Sequence, residues 1–289
     1  MVGAGRRPNG SVQLAQAIDE GSSAQETSLI PAARRAKALE LIRRHGAISI
    51  QRLADEMKTS ISTARRDVDY LSSTGYLERS HGGAFLSVRS RTTFEPATDI
   101  ADQVARPAKI AIGRCAAGMV EDGQSVILDS SSTVLEAAHA LAERDLSLTV
   151  VTNDLRIAVA LREKPKVQLI VPGGQVRVGS FTLIGSATQS AIRSLHADIA
   201  LIGVHSLAQL RPSETSLEVA SLKQAWIEAA NRVLLLLDSS KFEQSAFCEI
   251  CPIQRFHDVI CDDGLDPANR RALEQLGIRV TLVPIGHPA

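Results

Sequence analysis

Arg65 and Arg66 stand side by side in the stretch Thr59 to Phe85, TSISTARRDVDYLSSTGYLERSHGGAF, with Ser60, Ser62 and Thr63 just before them and Arg79 and His81 after. Guanidinium groups and hydroxyls crowded on one short surface suit a polyanion. Arginine makes bidentate bonds to guanine or a charge-assisted bond to phosphate, and serine or threonine does either more weakly. Asp67 and Asp69 need another role, because a carboxylate beside phosphate is unfavourable; pairing with arginines such as Arg65 or Arg52 is expected. A second cluster is Asp129, Ser130, Ser131, Ser132 and Thr133, between an apolar strand-like run and a helix-like one. Free amides at a helix N-terminus together with hydroxyl donors form an anion cradle suited to a phosphate, with Lys109 as counter-charge. Simple N-capping accounts for the same residues equally well. A third is CEIC, with Cys248 and Cys251 three apart in an extended-looking segment. Residues three apart on a strand point to opposite faces, so thiols packed as small hydrophobes are expected and no metal.

These groups need elements to hold them. From Pro31, AARRAKALELIRRHG carries Ala36, Leu39 and Ile42 at helical spacing, with Gly46 as a stop. A short second helix follows in ISIQRLADEMK, led in by Ile48 and Ile50. Thr59 and Ser60 cap a third helix, in which Ile61, Ala64, Val68 and Leu71 form the buried stripe and Gly75 the end. That stripe turns Ser62, Thr63, Arg65 and Arg66 outward near the N-terminus, where a helix entering the major groove meets base edges. YLERSHGGAFL reads as a hairpin, which would bring Arg79 and His81 to an adjacent backbone or minor groove. Three helices and a hairpin predict a winged helix-turn-helix.

Beyond a polar stretch the pattern changes. SVILD, LTVVT, VQLIV, IALIG, RVLLLLD, DVICD and RVTLV recur as continuous apolar runs, which mark strands buried on both faces. Helix-like segments separate most of them, so the class is α/β with an open, mainly parallel, Rossmann-like sheet. VPGGQVR to FTLIG reads as an inserted hairpin. The division is a flexible tail over 1–31, a winged helix-turn-helix domain over 32–87, a linker with an approach helix over 88–107, and a larger α/β domain over 108–289.

The formal net charge of zero over 289 residues conceals an asymmetry. Residues 32–91 hold twelve Lys and Arg against six Asp and Glu, and residues 92–289 hold eighteen against twenty-three. Only the first part then suits a polyanion, unless its charge is merely a solvated basic face. The longest apolar run is strand-length, which predicts no membrane span. The tail lacks the apolar core of a secretory signal, so a cytoplasmic location is expected. Four cysteines are too few for a disulfide framework at this length.

Leu53 to Phe85 resembles the signature of the DeoR family of bacterial transcription regulators, T-I-R-R-D-L followed by G-x-L-x-R-x-H-G-G-A. Thr63, Arg65, Arg66, Asp67, Gly75, Leu77, Arg79, His81, Gly82, Gly83 and Ala84 match it, and the resemblance runs through nearly all of residues 32–285. It implies a C-terminal sensor sharing its fold with ribose-5-phosphate isomerases and sugar-phosphate deaminases. There DSSST takes the place of the phosphate-binding loop, and Lys109 matches an assisting lysine. The resemblance also carries over Asn153 in VVTND, Gly173 and Gly174 in PGGQV, Lys241 in DSSKF, and the spaced pair Glu218 and Lys223, which otherwise reads as a solvated ion pair.

Isomerases of that fold place a carboxylate cluster after the strand matching IALIG, where a general base is needed. This chain has GVHSLAQL there, with Val204, His205 and Ser206 in place of the family's usual glycines. A lone His205 suits a ligand contact or a structural role better than catalysis, so loss of catalysis is expected. The expectation is a repressor of carbohydrate metabolism genes that binds operator DNA as a dimer or tetramer, responds to a phosphorylated sugar or related metabolite, and needs no cofactor. A sugar-phosphate isomerase or deaminase with an appended DNA module is the alternative, and an oligomerisation scaffold a third.

Overall fold

Proline at the first helical position and a glycine at the end bound α1, Pro31–His45, with Gly46 at φ 72°. The computed structural model describes residues 30–80, 82–86, 92–93, 95, 97–242 and 245–285; His81 and most of the tail lie outside them. Ile48, expected only to lead into a helix, lies in a strand of its own, β1, Ala47–Ser49, while Ile50 opens the helix. Ser49 then caps α2, Ile50–Glu56, its Oγ accepting from the Arg52 amide at 3.2 Å. The third helix, α3, spans Ile61–Ser73, and β2, Leu77–Ser80, and β3, Gly83–Leu86, make the hairpin. β3 lies between β2 and β1, antiparallel to both, with Ile48 opposite Ala84. Glycine is required at Gly83, where a Cβ would lie 2.6 Å from the Ile48 carbonyl oxygen. Ile42, Leu53, Ala64, Val68 and Leu71 are buried among these elements, each large aliphatic contributing about 1.5–3 kcal/mol.

A short helix, α4, Thr98–Gln103, lies inside the stretch read as linker. Its Ile100 is fully buried in the core of the winged helix domain, with Val104 packed beside it. Ala105 follows in the left-handed region at φ 52°, and α5, Arg106–Gly118, begins at once.

The seven apolar runs all form strands of one parallel sheet, in the order β14-β13-β11-β9-β4-β5-β6. They are β4, Ser125–Leu128; β5, Leu148–Thr152; β6, Val167–Ile170; β9, Ala197–Gly203; β11, Ala230–Leu236; β13, Asp258–Asp262; and β14, Arg279–Val283. Alternate side chains enter two separate cores. Val126, Leu128, Ile199 and Leu201 pack under α5, α6, Ser132–Ala142, and α7, Leu155–Leu161. Ile127, Ala200 and Ile202 pack under α8, Ser186–Arg193, α9, Leu217–Glu228, and α10, Pro267–Gln275. Burial on both faces explains why the runs are continuous rather than alternating. The inserted hairpin is β7, Gln175–Val176, with β8, Leu183–Ile184. Two further short strands, β10, Ser213–Glu214, and β12, Cys248–Glu249, pair antiparallel. Among the described residues no helix is long and apolar enough to cross a membrane, and no cluster of ligating side chains fits a metal ion.

Candidate functional site

The outer face of α3 follows from its inner one. Ala64, Asp67, Val68 and Leu71 are buried, which leaves Ser62, Arg65 and Arg66 exposed. Ser60 Oγ accepts from the Thr63 amide at 3.1 Å and lies 2.9 Å from Ser62 Oγ and 2.8 Å from Thr63 Oγ1. The hydroxyls therefore form one cluster at the helix start, where orphan amides gather. Arg65 and Arg66 have no carboxylate partner among the described residues.

Asp67 and Asp69 do not restrain Arg65 or Arg52. Asp67 is buried and receives Arg34 of α1 at 2.5 and 3.1 Å and Arg35 at 3.4 Å, while Arg35 lies 3.6 Å over the Tyr70 ring. Its hydrogen bond raises the Arg34 pKa above its ordinary value, against the cost of burial. Asp67 thus fixes α3 on α1, through partners more than thirty residues away. Arg52 pairs with Glu56 at 2.7 Å. Asp69 pairs with Arg79 at 2.6 Å and so ties α3 to the wing.

The second site sits where the parallel sheet divides. The chain leaves β4 toward one face of the sheet and β9 toward the other, which opens a crevice at their carboxyl ends. A cleft of about 320 Å³ lies there. Ser131 Oγ caps α6 by accepting from the Val134 amide at 3.2 Å, and the Ser132 and Thr133 amides have no intrahelical acceptor. Ser130 to Thr133, Lys109, His205, Lys223 and Lys241 all line the cleft. Gly203 permits this arrangement, since a Cβ there would come within 2.2 Å of Ser131 Oγ.

Lys223 and Asp129 form the floor. Lys223 Nζ donates to Asp129 Oδ2 at 2.5 Å and to the Gly203 carbonyl at 2.8 Å, and lies 3.3 Å from Glu214 Oε1. Asp129 is buried behind the lining and also accepts from the Gly203 amide at 3.2 Å. Burial works against the Lys223 ammonium, yet the two carboxylates outweigh it and hold its pKa above the usual lysine value. Burial pushes the Asp129 carboxyl up, and Lys223 offsets part of that. The geometry favours the charged pair, because Lys223 is held by three acceptors at once.

Burial, with Lys241 nearby, lowers the Lys109 pKa to about 8. The same two causes lower His205 to about 4, so its imidazole is neutral near pH 7.

Four expected site residues stand elsewhere. Glu218 is exposed at the start of α9 and does not line the cleft; Glu214 takes the place beside Lys223. Helical spacing itself separates Glu218 from Lys223, since five residues on a helix turn about 140° apart. Asn153 is buried outside the lining, its Nδ2 donating to the Leu183 carbonyl at 3.1 Å to fasten the inserted hairpin. The Gly173 carbonyl accepts from Thr188 Oγ1 at 2.6 Å, and a Cβ on Gly174 would strike that same hydroxyl. Both glycines serve backbone packing against α8. His81 lies outside the described residues.

Arg156, Arg177 and Asp102 line the cleft without having been singled out. Arg156 had a signal: an arginine in the first turn of α7 opposes the helix dipole unless carboxylates hold it. Asp154 and Asp102 do so, at 2.7 and 2.8 Å. Leu39, Glu40 and Arg43 of α1 and Tyr76 line the same cleft, so it lies at the seam with the winged helix domain.

Two family models match the chain: the DeoR-like helix-turn-helix domain over residues 34–89 and the DeoR C terminal sensor domain over 105–263. YgbI of Escherichia coli strain K12, described as an uncharacterized HTH-type transcriptional regulator, is 34% identical over 245 residues, 85% of this chain and 95% of its own length. The transcriptional repressor AccR of Agrobacterium fabrum is 33% identical over 234 residues, 80% of this chain and 89% of its own. Among solved structures, ribose 5-phosphate isomerase A from Methanocaldococcus jannaschii shares 16% identity over 46% of this chain and 53% of its own, with a TM-score of 0.35. That likeness is too slight to carry an argument. The two family models together span most of the chain, the relatives cover four-fifths or more of it, and the chain belongs to the DeoR family of helix-turn-helix transcriptional regulators.

Proposed function

We propose that this regulator is a cytoplasmic repressor of carbohydrate metabolism genes, released from operator DNA by a phosphorylated sugar or related metabolite. Residues 32–87 would bind DNA, with Ser60, Ser62, Thr63, Arg65, Arg66, Arg79 and His81 at the contact. A dimer or tetramer would present paired recognition helices to a symmetric site. The observation that carries the effector reading is the cleft at the ends of β4 and β9. There the hydroxyl loop Ser130 to Thr133, the unpaired α6 amides, Lys109 and Lys241 converge. An anion bound among them gains charge-assisted hydrogen bonds from several donors in a partly dry setting.

Calorimetric titration with a panel of phosphorylated sugars tests this. One member should bind, its unphosphorylated form should not, and Lys109→Ala with Thr133→Val should abolish the heat. Lys109 is charged below its pKa of about 8 and neutral above it. Affinity should therefore fall by up to about tenfold between pH 7 and pH 9, the size of one lost charge-assisted contact. Equal binding of phosphorylated and free sugars would remove the phosphate assignment.

One observation favours a second reading. The loop after β9 carries no carboxylate of its own, but the fold brings Glu214 Oε1 to 3.2 Å from the His205 amide. Glu214 is engaged by Lys223, which makes it a poor general base. Turnover of ribose 5-phosphate or glucosamine 6-phosphate by the purified protein would restore the isomerase or deaminase alternative; none is expected.

A further inference from the structure

Helix α4 has two faces with different allegiances. Ile100 is fully buried in the winged helix core, and Val104 packs against that core. The polar side of the same helix is held by the sensor: the Ala101 carbonyl accepts from Lys109 Nζ, and Asp102 takes Arg156 Nη1 on both oxygens, at 2.9 and 2.8 Å. Arg156 is itself anchored by Asp154 through Nε and Nη2, so its remaining nitrogen is the one given to α4. Both Lys109 and Arg156 line the cleft, and Asp102 lines it beside them. Glu95 repeats the arrangement nearby, accepting Arg177 at 2.6 Å. At the end of α4, Ala105 adopts a left-handed φ of 52° and donates its amide to Glu40 of α1 at 2.8 Å.

We propose that Asp102 is an internal occupant of the effector cleft, and that an incoming phosphate group competes with it for Arg156 and Lys109 and thereby detaches α4 from the sensor. The proposal rests on the effector reading above and adds how occupancy reaches the DNA-binding domain. A phosphate monoester carries about −1.5 to −2 charge and three strong acceptor oxygens, against the single charge of a carboxylate. Two anions sharing a partly dry cleft repel, and the more highly charged one keeps the cations. Asp154 remains on Arg156, so the guanidinium stays in place while its free edge changes hands. Detached from the sensor, α4 stays with the winged helix domain because Ile100 is seated there. Ala105 is the natural pivot, since a residue in a sparsely populated backbone region loses nothing by leaving it. The winged helix domain is then no longer held at one angle to the sensor. A ligand shifts such an equilibrium only through its differential affinity for the two states, and Asp102 supplies that difference.

The test uses the full chain and inorganic phosphate as the probe. Calorimetry would compare the wild type with Asp102→Asn, which keeps the shape and removes the charge, and with Asp102→Glu, which keeps the charge. Hydrogen exchange would follow the amides of residues 100–104. Asp102→Asn should bind phosphate about tenfold more tightly than the wild type, and Asp102→Glu should bind as the wild type does. Phosphate should speed exchange in residues 100–104 of the wild type, and in Asp102→Asn exchange should already be fast without it. If Asp102→Asn fails to fold, Asp102→Ser carries the same expectation. Phosphate binding of equal strength in all the proteins would overturn the competition and leave the effector reading standing. Binding that leaves exchange at residues 100–104 unchanged would overturn the release of α4. No binding by any of them would overturn both.

Discussion

Arg65 and Arg66 on α3 meet no carboxylate among the described residues, whereas Arg156 and Arg177 in the cleft are held by Asp102, Asp154 and Glu95. Both regions concentrate guanidinium groups, but the protein treats them differently. On α3 the neighbouring acids are turned elsewhere: Asp67 inward to Arg34 and Arg35, Asp69 across to Arg79. The arginine pair is left to solvent, which under the proposed function suits a large external polyanion whose binding releases counterions. In the cleft the arginines are neutralised by acids of the same chain, so on the proposed reading a small anion would reach them by exchange. The surface proposed to hold DNA keeps its charge open; the pocket proposed to register a ligand keeps its charge occupied.

The comparison is broken most severely at the cleft floor. Lys223→Met leaves Asp129 fully buried without its cation, and removing one partner of a buried pair costs about 3–5 kcal/mol. Urea unfolding should report a loss of that size; a loss below about 1 kcal/mol would mean Asp129 simply takes up a proton. A smaller effect is expected on the other side. Arg66→Ala should weaken DNA binding by about 1–3 kcal/mol, the range for a base or phosphate contact, and leave urea unfolding unchanged because the side chain is exposed. Unchanged affinity in a gel-shift titration at fixed salt would take Arg66 out of the contact.

How much of this could be read from residues alone depended on how local the cause was. The seven strands announce themselves as continuous apolar runs, which the inner strands owe to burial on both faces and which the edge strands β6 and β14 keep although they are only half-buried, and RVTLV and DVICD coincide with β14 and β13 to the residue. Helix α3 is nearly as legible, since cap, stripe and glycine stop all lie within seventeen residues, but Ile61, expected in the stripe, is exposed and buried Asp67 takes part in it instead. β1 is not legible in the sequence, because three residues carry no period and its pairing with β3 is a long-range event. The pairing of Asp67 failed for the same reason: nearby arginines were the natural candidates, and packing of α3 on α1 brought distant ones. In the cleft, the loop Ser130 to Thr133 was visible as hydroxyls between a strand and a helix. Glu214 and Asp102 were not, because nothing in their local sequence distinguishes a carboxylate that folds onto a lysine or arginine from one in water. Asn153, Gly173 and Gly174 show the converse, polar and glycine landmarks that serve the inserted hairpin and α8 rather than the cleft.

On the proposed reading one chain joins an open cationic helix to an anion cleft, so that filling the second would empty the first. The most direct measurement is retention of genomic DNA fragments by the immobilised full-length protein, followed by elution with phosphorylated sugars one at a time at constant ionic strength. The account predicts that a discrete set of fragments is retained, that one phosphorylated sugar elutes them while its unphosphorylated form does not, and that the Arg65→Ala, Arg66→Ala double variant retains none. Retention of the same fragments by the double variant, or elution by every phosphorylated sugar alike, would contradict it.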